Sequence, residues 1–153
     1  MQDKIGWIGL GSMGNRMAKN LAKNGYQMLV TDKMDTSAAP QSAHVATTNS
    51  EVISEANILI LSIPAGPDTL EITQEILNSP SSSVEIVIDT STIGIPDAKQ
   101  AAELLSKKGI EYVDAPVSGG IAGADSATLA VMVLSLIHIS EPTRLRCISY
   151  AVC

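Results

Sequence analysis

The stretch Gly6-Trp7-Ile8-Gly9-Leu10-Gly11-Ser12-Met13-Gly14 begins five residues from the N-terminus, follows a short apolar run and opens a helical pattern. Its glycines at positions 9, 11 and 14 therefore fall on a strand-to-helix turn. In that context the spacing implies a dinucleotide site. Gly9 lets the turn be tight. Gly11 has no Cβ to hold a pyrophosphate away from the backbone. Gly14 lets the helix pack closely on the strand. With Leu10, Ser12 and Met13 between them, they lead into a helix N-terminus, which offers unpaired N–H groups and a partial positive charge to phosphates.

The same strand-then-helix rhythm runs on. Ile5–Ile8 reads as a buried first strand and residues 12–24 as a helix, with Met13, Met17 and Leu21 at helical spacing and Gly25 as its stop. Residues 26–31 form the second strand, ending at Asp32. Residues 35–39 read as a short turn of helix, 44–46 as a weak third strand, and Asn49 or Ser50 as the cap of a helix running to Ala56. Residues 58–63 are a strongly apolar fourth strand. Pro67-Asp68 opens a helix that ends near Asn78. A fifth strand over 84–88 is closed by Asp89, and Pro96 starts a helix that runs to Lys108, with Gly109 as its stop. A sixth strand over 110–114, a glycine-rich loop over 116–123 and an apolar run over 129–133 follow. Continuously apolar strands alternating with helices of this length predict an α/β fold. Right-handed crossovers make it a doubly wound, mostly parallel sheet of Rossmann type.

Composition limits the partners. A net charge of −6 argues against nucleic acid or an anionic membrane surface. No apolar run reaches transmembrane length and no signal-peptide pattern opens the chain, so a cytoplasmic protein is expected. The chain has no Phe, so the core must come from Ile, Val, Leu, Ala and Met.

The segment from Leu134 to Cys153 is set apart. It resembles the translation of a transposon-end adapter from short-read sequencing libraries, with Leu145-Arg146-Cys147 in place of a variable index and residues 148–152 as the flow-cell end. The expectation is a dinucleotide-binding domain over residues 1–133, cut from a longer parent, and a non-native tail over 134–153. Both cysteines, Cys147 and Cys153, lie in the tail, so neither a disulfide nor a metal site is expected.

Asp32 lies eighteen residues after Gly14, at the end of the second strand. An acid there can accept hydrogen bonds from both ribose hydroxyls of an adenosine and repel a 2′-phosphate, which favours NAD. Lys33 beside it leaves NADP open. Three further loops fall at strand C-terminal ends, where open α/β sheets bind ligands: Ser62-Ile63-Pro64-Ala65-Gly66, Asp89-Thr90-Ser91-Thr92-Ile93 and Asp114-Ala115-Pro116-Val117-Ser118-Gly119-Gly120. Each is built of ordinary turn residues, and what sets them apart is their shared edge.

In these residues the chain resembles the β-hydroxyacid dehydrogenases, typified by 3-hydroxyisobutyrate dehydrogenase, over residues 4–133. The glycine turn with Ala18 and Leu21 looks like that family's N-terminal signature. Ile63-Pro64 sits where the family has Leu-Pro beside the cofactor ribose. Ser91-Thr92-Ile93 matches its Ser-Thr-Ile, whose Thr lies on the nicotinamide side. Residues 114–120, continued by Gly123-Ala124, match its substrate loop. The resemblance implies cofactor contacts from the glycine turn, Asp32, Lys33, Ile63, Pro64, Asp68 and Thr92. It implies that Ser118, Gly119 and Gly120 bind a small carboxylate substrate, for which a hydroxyl and backbone N–H groups in a concave turn are suited.

Ala127 departs from the pattern, since the family has Gly there. The family's catalytic Lys comes from a helix beyond the substrate loop, and no residue here matches it, so no catalytic residue is assigned. Lys99, Lys107 and Lys108 sit on the solvated face and end of one helix. The resemblance thus implies a homo-oligomeric parent that transfers a hydride between NAD(P) and a small 3-hydroxy acid, and a fragment that is inactive alone. A 6-phosphogluconate, tartronate semialdehyde or imine reductase relative, or a non-catalytic dinucleotide-binding module, stays open.

Overall fold

The computed structural model describes residues 3–135 and 148–151. Strand β1 (Ile5–Ile8) lies at the centre of a parallel sheet, between β2 (Met28–Thr31) and β4 (Ile58–Leu61). Strand β3 (His44–Val45) extends the sheet beyond β2, and β5 (Ile86–Asp89) and β6 (Glu111–Asp114) extend it beyond β4. Two antiparallel strands, β7 (Val117–Ser118) and β8 (Ala130–Ser135), finish that side, giving the order β3-β2-β1-β4-β5-β6-β8-β7. The chain reverses direction across the sheet between β1 and β4, the switch point at which ligands bind in such folds.

Helices cover the faces unequally. On one face α2 (Asn49–Glu55), α3 (Gly66–Asn78) and α4 (Ile95–Ser106) enclose Val52, Ile53, Leu59, Leu61, Val87 and Leu105. On the other, α1 (Gly14–Lys23) packs over Trp7, Met28, Val30 and Ile60. The inner strands are apolar on both sides because both sides are covered there. Farther along, the α1 face runs out of cover. Ile58, Ile86, Ile88 and Val113 are only half-buried. Beside them a hollow of about 180 Å³ opens between Trp7, Met17, Leu21, Ile60, Ile88 and Leu129.

Glycines end two helices as the sequence predicts. Gly25 takes φ +87°. The Gly25 and Tyr26 amides donate to the carbonyls of Ala22 and Leu21, which closes the last turn of α1. Gly109 (φ +73°) repeats the pattern after α4, with Ile110 donating to Leu105.

Several local expectations are corrected. Residues 35–39 make a turn with no helix, because the Asp35 carboxylate accepts from the Ser37 amide at 2.8 Å and its hydroxyl at 2.7 Å, bonds that compete with a helical ladder. The cap of α2 is Thr48, whose hydroxyl accepts from the Glu51 amide at 3.2 Å, in place of Asn49 or Ser50. The loop over 116–123 contains β7 and a short helix, α5 (Gly120–Asp125). Of the segment from residue 134 onward, Leu134 and Ser135 complete β8, and β9 (Ile148–Ala151) pairs antiparallel with it. The rest of that segment, Cys147 and Cys153 included, lies outside the described residues.

Candidate functional site

Five loops rise from the C-terminal ends of β1, β2, β4, β5 and β6, and neighbouring loops are tied to one another. After β1, Gly9 takes φ +102°, and a Cβ there would lie 2.1 Å from the carbonyl oxygen of Ser62. A Cβ on Gly14 would lie 2.1 Å from the carbonyl oxygen of Gly9. Both obstacles are backbone, so neither position accepts a side chain. These two glycines perform the tight-turn and close-packing roles read from the sequence. Gly11 differs: nothing lies within 4 Å of its Cβ position. Next to that open space, the amides of Gly11, Ser12, Met13 and Gly14 donate to no acceptor among the described residues, and Ser12 is exposed. Open room beside converging N–H groups at the start of α1 fits a pyrophosphate.

Trp7 sets the shape of this turn from below. Its side chain is 2% exposed, and its indole N–H donates to the Gly9 carbonyl at 2.8 Å. Trp7 belongs to no recognised element of the glycine motif, although a buried indole needs an acceptor and its own turn supplies one.

Asp32 ends β2 and grips the same turn. One carboxylate oxygen accepts from the Leu10 amide at 2.6 Å. The other accepts from Met34 at 2.8 Å and Asp35 at 3.1 Å. Asp32 is half-buried and has lone pairs left for a ribose hydroxyl, but it also ties the first two loops together. Lys33 points elsewhere. Its ammonium lies 3.7 Å from the Glu71 carboxylate on α3, and both side chains are exposed. Asp68 sits one turn before Glu71, in the first turn of α3, and is half-buried.

The middle loops form one network. Asp89 is wholly buried, and its carboxylate accepts from the Thr69 hydroxyl at 2.8 Å, the Tyr112 hydroxyl at 2.9 Å and the Ser91 amide at 2.9 Å. The Ser91 hydroxyl in turn accepts from the Ile63 amide at 2.9 Å. Thr90 donates through its hydroxyl to the Leu61 carbonyl at 2.7 Å. Ile63 is thereby fixed against the β5 loop, while Pro64 and Thr92 stay exposed above it. Burial, and after it the charge of Asp89, drives the Tyr112 hydroxyl far above the ordinary phenol range. Burial first and Asp89 second push the Asp114 carboxyl up to about 6. Asp89 and Asp114 are register partners on adjacent strands, which brings the Asp114 carboxyl within reach of the Asp89 charge.

Ser118, Gly119 and Gly120 stand farther out. All three are exposed, Gly119 at φ +134° and Gly120 at φ +61°. They join the other loops through helix packing. The Arg16 guanidinium lies 2.7 Å from the Asp125 carboxylate and also donates to the Ser12 carbonyl at 2.6 Å. The Asn20 amide donates to the Ala124 carbonyl at 2.7 Å. The turn before α1 and the loop before α5 are therefore held in one arrangement. Arg16 and Asp125 carry no motif that would single them out in the sequence. Among the described residues no three His, Cys, Asp or Glu side chains cluster as metal ligands.

Known proteins are similar to this chain in sequence and fold. The pattern of the NAD binding domain of 6-phosphogluconate dehydrogenase matches residues 4–135. The 2-(hydroxymethyl)glutarate dehydrogenase of Eubacterium barkeri is 36% identical over 140 residues, covering 85% of this chain and 45% of that protein. A structure of Mycobacterium tuberculosis 3-hydroxyisobutyrate dehydrogenase with L-serine superposes with a TM-score of 0.78 at 34% identity, over 88% of this chain and 47% of the other. Psf3 in complex with NADP+ and 2-OPP superposes with a TM-score of 0.69 at 26% identity, over 84% of this chain and 48% of its own. The chain spans a little under half the length of the curated relatives it matches. No described helix is long and apolar enough to cross a membrane.

Proposed function

This chain belongs to the family of the NAD binding domain of 6-phosphogluconate dehydrogenase, and we propose from that membership that its loop edge holds the dinucleotide of a 3-hydroxy acid dehydrogenase. The open space over Gly11 beside four uncommitted amides carries the reading. Those amides hold the pyrophosphate, Asp32 accepts from the adenosine ribose, and Ile63, Pro64, Asp68 and Thr92 line the path toward the nicotinamide. The nicotinamide ring, when bound, supplies hydride transfer. The protein supplies orientation and exclusion of water. NAD is the preferred cofactor because a carboxylate stands where a 2′-phosphate would fall.

The substrate is a small carboxylate with a hydroxyl on the β carbon. The names of two relatives support that class: 3-hydroxyisobutyrate and 2-(hydroxymethyl)glutarate both carry a hydroxymethyl group next to a carboxylate. L-serine has the same β-hydroxy acid skeleton. Ser118, Gly119 and Gly120 receive the carboxylate. The proton acceptor comes from the parent beyond this chain, so the 153-residue chain binds cofactor without turning substrate over. The parent is a cytoplasmic homo-oligomer. Residues 134–153 are foreign to it, a reading supported by the family match ending close to that boundary, at residue 135. An independent read of the coding DNA through codon 134 that returned the same tail would refute that last point.

The chain has a single tryptophan, Trp7, directly under the turn, so NADH binding is read by quenching of its emission and energy transfer to the dihydronicotinamide. Saturable quenching is expected. No binding of either NADH or NADPH at millimolar concentration would sink the proposal. Turnover of 3-hydroxyisobutyrate by this chain alone would refute its inactivity.

A further inference from the structure

We infer that Glu71 on α3 sets the choice between NAD and NADP by occupying Lys33; this rests on the dinucleotide reading above. A site that accepts a 2′-phosphate needs a cation next to the acid that ends β2. Lys33 is the residue in that place. Between Lys23 and Lys99 the sequence has no other Lys or Arg. The whole adenosine side, from the β2 loop through α3, therefore depends on one ammonium group. The structure places that group 3.7 Å from the Glu71 carboxylate, reached from a different element, while Asp32 and Asp35 flank it in sequence and Asp68 stands one helical turn from Glu71.

The electrostatics follow from this geometry. A 2′-phosphate brought to Lys33 must compete with Glu71 for the same ammonium, within a surround that is otherwise acidic. NAD brings no such charge, and its ribose hydroxyls need only Asp32. Among the described residues the Glu71 carboxylate has no hydrogen-bond or ion-pair partner other than Lys33, and its side chain is 60% exposed. Its removal therefore leaves the fold and the NADH contacts intact. The glycine turn and Asp32 make the site a dinucleotide site. Glu71, thirty-nine residues beyond Asp32 in the sequence, decides whether Lys33 is available to an extra phosphate.

The test is a double-mutant cycle on the full chain, read as the ratio of NADPH to NADH dissociation constants by Trp7 quenching at low salt. Wild type is expected to favour NADH. Glu71→Gln should narrow the ratio by about 1.4-fold to fivefold, the range of one exposed ion pair, with NADH affinity unchanged. Lys33→Gln together with Glu71→Gln should abolish the gain, and salt at about 0.5 M should erase it. An unchanged ratio in Glu71→Gln overturns the inference, as does a gain that survives in the double variant. Loss of NADH binding in wild type would remove the underlying cofactor reading as well, which separates the two failures.

Discussion

The Tyr112 hydroxyl donates to the Asp89 carboxylate at 2.9 Å in a region closed to water. A buried carboxylate is tolerated only where its oxygens are met by donors, and Tyr112 is one of three here. Tyr112→Phe leaves the shape and removes the donor. It should lower stability by about 1.5–3 kcal/mol, the usual worth of a hydrogen bond to a charged group, seen as a lower urea midpoint. Raised as it is, the Tyr112 ionisation also means that the protein loses stability as pH climbs past about 10, where the unfolded chain ionises and the folded one does not.

Asp114 gives a second pH dependence, in acid. Its carboxyl sits at about 6 in the folded protein against 3.8 for the free side chain. Its contribution to stability is therefore full below about 3.8 and is lost as pH rises through 6. Asp114→Asn should remove that loss and raise stability at neutral pH by about 1 kcal/mol, a figure reduced because the group is only half-buried. Urea midpoints at acidic and neutral pH, compared between the two proteins, check it.

The glycines at 11 and 14 should separate binding from folding. Gly14→Ala forces a Cβ against the Gly9 carbonyl and should unfold or strongly destabilise the chain. Gly11→Ala meets nothing in the protein, so its melting temperature should stay within about 2 °C while NADH affinity falls at least about tenfold, since the methyl group occupies the pyrophosphate's place. Equal melting losses in both variants would contradict the division.

Ala127 adopts φ +57°, a left-handed conformation that the other non-glycine residues described here avoid. The strain costs about 1 kcal/mol. Ala127→Gly should recover up to that amount, offset in part by the greater freedom of glycine in the unfolded chain. The departure from the family pattern noted in the sequence thus coincides with a point of backbone strain.

Half-covered Ile58, Ile86, Ile88 and Val113 leave an apolar face open to solvent. The chain should enhance the emission of a hydrophobic dye such as ANS and self-associate with concentration. A monodisperse, dye-silent protein in sedimentation would count against this.

The strands were legible in the sequence because a sheet covered on both faces demands unbroken apolar runs, such as Ile58 to Leu61. The roles of Gly9, Gly14, Gly25 and Gly109 were legible because each answers a backbone need that only glycine meets cheaply. What stayed hidden depends on contacts distant in the chain. Asp89 and Tyr112 are separated by 23 residues, and nothing in either strand declares that they share a hydrogen bond. Asp32 reads as a ribose acceptor, yet its oxygens already hold three backbone amides. Helix α5 is not legible in the sequence because Gly119, Gly120 and Gly123 read as turn residues. It forms against α1, held by Arg16 and Asn20, so tertiary contact outweighs local propensity there.

Each loop at the C-terminal edge of the sheet is pinned to a neighbouring strand or its loop: Leu10 to Asp32, Ser62 to Ile8, Ile63 to Ser91 and Ala115 to Asp89. The separation of the groups at this edge is therefore fixed by the pitch of the sheet, about 4.8 Å per strand, and owes little to what the loop tips contain. Such an edge works as a graduated ruler. Exchanging the exposed tips at Pro64, Thr92 or Ser118 would change which molecule is measured and leave the divisions of the scale where they are.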